Sequence, residues 1–191
     1  MQAEGATELL LIRHAPALHG GRLAGRRDVA AELPGAAALA ALRRAVGAAK
    51  VVASPALRCR QTAAALWPEV AAELDARLWE QDFGAWEGLG FADLPDLGPL
   101  PAAALAAHRH PGGESFADLC ARVAPVLDNL ARGGGRVAVV AHAGVVRAAL
   151  ATALGAVAPA LAFSVAPLSL TQITALPGGG WSIGGVNRVF A

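Results

Sequence analysis

Two histidines and two arginines in this chain sit where an anion-binding crevice would need them. His14 directly follows Arg13 at the end of the apolar run Leu9-Leu10-Leu11-Ile12, and His142 ends a second such run, Arg136 to Ala141. An imidazole titrates near neutrality, so its uncharged form offers a lone pair, and an adjacent guanidinium disfavours the protonated form. One histidine at a strand end is most often structural; two in equivalent contexts, with Arg13 beside the first, point to one crevice. Arg58 supplies a second cation. It lies in Ser54-Pro55-Ala56-Leu57-Arg58-Cys59-Arg60-Gln61-Thr62-Ala63, which follows a strand and enters a helix. There the helix dipole and free backbone N–H groups also favour an anion. Arg60, two residues on, reads as a solvated arginine. Leu78 to Gly88 is dense in aromatics and carboxylates. An acid beside a cationic pocket suits proton donation, and composition does not choose between Glu80, Asp82 and Glu87.

The elements that must position these groups follow from hydrophobic periodicity. Thr7 to Arg13 reads as a strand buried on both faces, and Arg136 to Ala141 as another. Gly35 to Val46 reads as a helix with Leu39, Leu42 and Val46 on one face. Val51-Val52 makes a short strand ending at Ser54, and Pro55 suits the first turn of a helix running to about Leu66, before Pro68. Ser115 is the expected N-cap of a long helix, ended by Gly133-Gly134-Gly135. A further helix spans Val145 to Leu154, and two strands, near Leu168–Leu176 and Trp181–Val186, make a hairpin-like edge. Alternating strands and helices predict a three-layer α/β/α sandwich with a mostly parallel central sheet and an antiparallel edge strand. In such sheets ligands bind beyond the carboxyl ends of the strands, where His14 and His142 fall. No repeat or linker interrupts the chain, so residues 1–191 read as one domain. Pro and Gly break the segment from Leu94 to Pro101, which reads as a loop or short insertion, and a stretch at about 89–113 is expected to form part of the pocket rim.

Composition narrows the function classes. A formal net charge of +1 over 191 residues gives no reason to expect nucleic acid or a membrane surface as partner. The uncharged stretch Ala148 to Leu170 is long enough to span a bilayer, but Gly155, Pro159 and Pro167 interrupt it. It reads as a buried helix, a loop and a strand. Met1 to Glu8 carries no basic leader region, and Cys59 and Cys120 lie in neither a Cys-x-x-Cys pair nor a zinc-type cluster. A cytoplasmic protein with free thiols is expected.

Taken together, the motifs resemble the histidine phosphatase (phosphoglycerate mutase-like) superfamily. Arg13-His14-Ala15 is similar to its Arg-His-Gly signature, and Ser54 to Ala63 to its Ser-x-Leu-x-Arg-Ala-x-Gln-Thr-Ala block. Leu78-x-Glu80-x-x-Phe83-Gly84-x-Trp86-Glu87-Gly88, Pro111-Gly112-Gly113-Glu114-Ser115 and Val139-Val140-Ala141-His142 follow in the family's order. The resemblance implies that His14 is a nucleophile forming a phosphohistidine. It also implies that Arg13, Arg58 and His142 clamp the phosphoryl oxygens, and that Glu80 protonates the leaving alkoxide. It implies no cofactor and no metal, because arginines carry the charge stabilisation. Ala15 and Ala143 depart from the family's glycines. Gly20 stands where it often has an Asn phosphate ligand, for which backbone N–H groups near Gly20 and Gly21 can substitute.

Within the family, Arg13-His14-Ala15-Pro16, Gly25-Arg26-Arg27-Asp28-Val29 and the Phe83 to Gly88 block look most like the α-ribazole phosphatases of bacterial cobalamin synthesis. The short Leu89–His110 segment implies an open pocket and hydrolysis rather than mutase chemistry. The substrate so implied is a small phosphate ester such as α-ribazole 5′-phosphate. The alternatives are a phosphoprotein or phosphohistidine phosphatase, a mutase-like phosphotransferase, and an inactive phosphate-binding module. His108, Arg109 and His110 read as a solvated loop rather than a substrate contact. The strands after Ala156 offer an edge for a second subunit, which allows a homodimer.

Overall fold

The computed structural model describes residues 5–190; Met1 to Glu4 and Ala191, and with them part of the expected N-terminal segment and both ends of the 1–191 domain, lie outside them. In chain order the principal elements are β1 (Thr7–Arg13), α1 (Ala36–Val46), β2 (Lys50–Ala53), α2 (Leu57–Leu66), β3 (Glu73–Leu74), α3 (Ala102–Ala107), α4 (Phe116–Ala131), β4 (Gly135–Ala141), α5 (Ala143–Leu154), β5 (Leu170–Ala175) and β6 (Trp181–Arg188). The sheet runs β3-β2-β4-β1-β5-β6. Pairings among β3, β2, β4 and β1 are parallel, and β5 is antiparallel to both β1 and β6. The one reversed strand thus lies next to the edge, because the terminal hairpin folds β6 outside it.

β1 and β4 are central, and their side chains alternate between two cores. Leu9, Leu11, Val137, Val139 and Ala141 pack with α4 and α5; Leu10, Ile12, Ala138 and Val140 pack with α1 and α2. A strand covered on both faces has no polar side, which explains the continuous apolar runs. The register pairs Arg13 with Ala141 at the carboxyl ends. The His14 N–H then donates to the Ala141 carbonyl at 2.9 Å, locking the turn that carries one histidine to the turn that carries the other.

Helix starts follow local chemistry. Ser115 Oγ accepts from the Asp118 N–H at 3.1 Å while Asp118 Oδ2 accepts from the Ser115 N–H at 2.8 Å, a reciprocal capping box for α4. α5 begins at Ala143, two residues before the expected Val145, because His142 itself is the N-cap. Pro55 precedes α2 rather than lying in its first turn. Strand β3 and helix α3 were not expected, the first because it spans two residues and the second because it is a six-residue Ala-rich segment between breakers. The Ala148–Leu170 stretch divides into the end of α5, a 3-10 turn at Ala158–Ala162 and the start of β5. No described helix is long and apolar enough to cross a membrane. Cys59 and Cys120 are both buried and free, in opposite cores.

Candidate active site

His14 and His142 meet edge to face, ring centroids 5.2 Å apart, with the buried Arg58 guanidinium joining them. Arg58 Nε–H donates to His14 Nε2 at 3.3 Å, and an Nη2–H donates to His142 Nδ1 at 3.1 Å. A guanidinium has only donors, so both of those imidazole nitrogens are acceptors. His14 therefore carries its proton on Nδ1, which donates to the Ala15 carbonyl at 2.6 Å. His142 carries its proton on Nε2, which donates to Ser54 Oγ at 2.9 Å. The unprotonated nitrogen of His14 is thereby Nε2, its lone pair held by the Arg58 Nε–H.

Arg58 is itself held rigidly. Nη1 donates to the Arg27 carbonyl at 2.9 Å and Nη2 to the Gly25 carbonyl at 2.7 Å. The rest of the Ser54–Ala63 block has equally local tasks. Thr62 Oγ1 donates to the Arg58 carbonyl at 2.7 Å and accepts from the Ala15 N–H at 3.0 Å, while Gln61 Oε1 accepts from the Ala31 N–H at 2.8 Å. Arg60 is exposed, as expected. The expectation of an anion at the α2 N-terminus is met from within the chain: Asp28 Oδ1 accepts from the Leu57 N–H at 2.6 Å.

Glu80 is the carboxylate of its block that reaches the cavity. Its Oε1 accepts from the Gln81 N–H at 3.0 Å and from the Gly144 N–H, in the first turn of α5, at 3.1 Å. A Cβ on Gly144 would lie 2.3 Å from that oxygen, so only glycine admits the acid here. Asp82 and Glu87 have structural tasks instead. Asp82 accepts from the Gly84 N–H, and Glu87 accepts from the N–H groups of Arg26 and Phe83. The Glu80 segment is clamped from below by Arg122 of α4, which donates to the carbonyls of Arg77 (2.6 Å), Trp79 (3.1 Å) and Glu80 (3.3 Å). Glu114 fixes Arg122 in turn, with Oε1 at 2.5 Å. The Phe83-Gly84 and Pro111-Gly112-Gly113 motifs pack backbone to backbone: a Cβ on Gly84 would lie 2.1 Å from the Pro111 carbonyl.

These groups border a cavity of about 260 Å³ lined by Arg13, His14, Arg58 and Glu80, as anticipated. His142 is fully buried behind Arg58 and is not part of the wall. Arg13 Nη1 donates to the Val165 carbonyl at 2.6 Å, and its buried Nε–H has no acceptor among the described residues. The wall also contains His19, Arg22, Gln81 and Arg147, which sequence reasoning missed. Arg147 was findable: it lies four residues after Ala143, on the same helix face, once α5 is known to start there. Neither Gly20 nor Gly21 lines the cavity, and the Gly21 N–H donates to His19 Nδ1 at 3.1 Å. From the 89–113 insertion, Phe91 alone joins the wall. His110 packs against Phe83 and Trp86 behind the cavity wall, His108 packs against Trp86, and Arg109 pairs with Asp118; none of the three lines the cavity, and the two histidines are half-buried rather than solvated as expected. The described residues contain no cluster of three or more His, Cys, Asp or Glu side chains able to hold a metal ion.

Electrostatics follow from burial first. Desolvation lowers the His14 pKa to about 3, with Arg58, Arg13 and His19 adding to the effect and the Ala15 carbonyl opposing it. The arginines thus reinforce an effect that burial dominates, where sequence reasoning credited them alone. His142 is held well below its ordinary value, again mainly by burial. Burial raises the Glu80 pKa, while the Gln81 N–H, Arg58, Arg13 and the Gly144 N–H pull it back. The site therefore holds neutral imidazoles against guanidinium donors, with an acid biased towards its protonated form.

A doubly covered, mostly parallel sheet with this Arg-His, Arg and His arrangement at its strand ends is the hallmark of one family: the chain belongs to the histidine phosphatase superfamily (branch 1), which it matches over residues 9–188. It is 36% identical over 170 residues to a bifunctional protein of Mycobacterium tuberculosis, covering 78% of this chain and 45% of that protein. The chain thus spans a little under half the length of that relative. Among solved structures, a mycobacterial glucosyl-3-phosphoglycerate phosphatase superposes with a TM-score of 0.80 at 27% identity, covering 96% of this chain and 99% of the other. A putative α-ribazole-5′-P phosphatase from Escherichia coli also gives 0.80, over 96% and 97% of the two chains, but at 22% identity it attests the fold alone.

Proposed function

We propose that this chain is a phosphomonoesterase that works through a phosphohistidine on His14 and hydrolyses a small-molecule ester. The observation that carries the reading is the neutral His14, with its lone pair on Nε2 and the Arg58 guanidinium against it. On arrival of a phosphoryl group, the Arg58 Nε–H leaves the His14 Nε2 lone pair for a phosphoryl oxygen, the guanidinium staying on its loop carbonyls, and Arg13 offers its unpartnered Nε–H. His14 Nε2 attacks phosphorus, the bond to the ester oxygen breaks, and Glu80 gives that oxygen its proton. Water then attacks the phosphohistidine and loses its proton to Glu80, releasing phosphate and restoring the acid. Such transfer depends on positioning and charge stabilisation, which the arginines provide. His142 acts through Arg58, as a positioning residue rather than a clamp.

A cavity of about 260 Å³ takes the phosphoryl group and the adjoining part of a small ester, and a phosphorylated side chain is the alternative that the assay below separates. α-Ribazole 5′-phosphate is the particular ester that the sequence motifs suggest, and the buried free cysteines support a cytoplasmic setting. A panel of α-ribazole phosphate, sugar phosphates, an aryl phosphate and phosphopeptides, assayed with chelator present, tests the assignment. Turnover of small esters is expected. A strong preference for peptides, or activity restored only by added metal, would overturn it, and phosphate binding with no turnover would mark an inactive binding module.

A further inference from the structure

Arg13 is held by fewer contacts than Arg58. Arg58 has four hydrogen-bond partners, whereas the one side-chain hydrogen bond that Arg13 makes among the described residues is from Nη1 to the Val165 carbonyl, at 2.6 Å. A guanidinium is a rigid plane, so that bond sets where the unpartnered Nε–H points. The peptide unit that supplies the carbonyl is gripped from its other side. Its N–H, on Ala166, donates to Asn187 Oδ1 at 2.6 Å. Asn187 lies near the end of β6, the edge strand two places from β1, and lines no part of the cavity. The backbone is distorted to bring it there. Asn187 has φ 56° and Leu168 has φ 58°, and they are the two non-glycine residues of positive φ among the described residues. The β5–β6 register shifts between Leu170 and Gln172, where Asn187 sits, and bulges of this kind re-aim a side chain. Leu168 lies in the loop that Asn187 holds. Its N–H donates to the Arg13 carbonyl at 3.0 Å, and the Arg13 N–H donates to the Ser169 carbonyl at 3.2 Å. Strained backbone persists where the surrounding structure fixes it, and here both strained residues border the segment that grips Arg13.

We infer that Asn187 is a positioning residue for phosphoryl transfer: through the Val165–Ala166 peptide it fixes the direction in which Arg13 presents its Nε–H. The inference rests on the phosphatase reading and extends it to a residue outside the cavity. The link is two hydrogen bonds across one planar peptide unit, so a rotation of that unit moves the carbonyl and the guanidinium together. Asn suits the position on two counts. It enters the left-handed region more readily than most non-glycine residues, and its side chain carries an acceptor. The Asn187 N–H is used separately, donating to Thr171 Oγ1 at 3.2 Å. The bulge is thus held by its backbone, and the side chain is left for Ala166.

Asn187→Gly separates the side chain from the fold. Glycine takes a φ of 56° without strain, so the bulge and its bond to Thr171 stay while the acceptor for Ala166 goes. On an aryl phosphate this variant should lose about tenfold in kcat/KM, the scale of a small misplacement in an intact site, with a urea midpoint close to that of the wild type. Asn187→Asp keeps an oxygen acceptor for the Ala166 N–H and should return to within about threefold of the wild type. The deciding measurement is a double-mutant cycle with Arg13→Met, read in kcat/KM and in the Kd of inorganic phosphate. Asn187→Gly should cost under about twofold in the Arg13→Met background and its full tenfold or so in Glu80→Gln. Three results overturn the inference and leave the phosphatase intact: wild-type activity in Asn187→Gly, a loss undiminished in Arg13→Met, or a loss that follows a lowered urea midpoint and is not recovered by Asn187→Asp. If the wild type turns over no ester, a generic aryl phosphate included, the phosphatase reading falls and this one with it.

Discussion

Arg58 Nε–H donates to His14 Nε2 at 3.3 Å, so the proposed nucleophile and its principal cation are already in register before a phosphoryl group arrives. The same guanidinium reaches His142 and two loop carbonyls, which leaves it one orientation. Arg58→Lys keeps the charge and loses the fork. It should lower kcat/KM by at least about a hundredfold, the usual cost of removing one preorganised donor. Steady-state kinetics on an aryl phosphate measures this, and a loss under fivefold would show that the fork geometry is dispensable.

Under the proposed mechanism Glu80 should set the alkaline side of the pH profile. With its pKa raised by burial, the fraction able to donate a proton falls as pH rises through that value. His14, whose pKa is lowered to about 3, stays neutral throughout the working range and imposes no acid limb above pH 4. Glu80→Gln should cut kcat for an alkyl phosphate strongly and remove the alkaline fall. For an aryl phosphate, whose leaving group needs little protonation, the loss should be smaller. Equal losses on both esters would mean that Glu80 is not the acid.

Arg122 and Gly144 position that acid without touching the cavity reaction directly. Arg122→Met releases the carbonyls of Arg77, Trp79 and Glu80 and should reduce kcat more than it raises KM. It should also shift the alkaline limb, with Arg122→Lys recovering part of both. Gly144→Ala forces Glu80 from its place and should act in the same direction. A lower unfolding midpoint with kcat and the pH profile unmoved would assign Arg122 to folding stability only.

Stability should fall on acidification. An unfolded histidine binds a proton below pH 6.5, whereas folded His14 does so only near pH 3, so stability is full above 6.5 and declines between those values. Each such imidazole contributes a slope of about 1.4 kcal/mol per pH unit inside its window, and His142 adds a second. Glu80, raised, acts oppositely: its contribution is present below about 4.5 and is lost as pH rises through its folded value. Urea unfolding between pH 5 and 7.5 checks the sign, and a His14→Gln variant should show a shallower acid loss.

The strand ends were legible because β1 and β4 are buried on both faces and leave apolar runs that stop at Arg13-His14 and Ala141-His142. Arg58 was legible from the strand-to-helix step before it. The use of Asp28 to cap α2 was not, since it depends on how an aperiodic loop wraps Arg58. For the same reason His19 and Arg22 went unseen: residues 14–35 hold no helix or extended strand, and no period marks which side chains turn inward. The choice among Glu80, Asp82 and Glu87 needed the position of α5, because the Gly144 N–H and the space beside it select the acid. The placement of His142 behind the guanidinium likewise follows from Ser54 and Arg58 packing on it, contacts with no counterpart in chain order.

The central claim is the covalent step at His14. Mixing the protein with a 32P-labelled small ester and quenching within milliseconds tests it most directly. A label on the protein that is stable in alkali, labile in acid and absent from His14→Ala is the predicted result. Unchanged labelling, or unchanged turnover of the ester, in His14→Ala would contradict it.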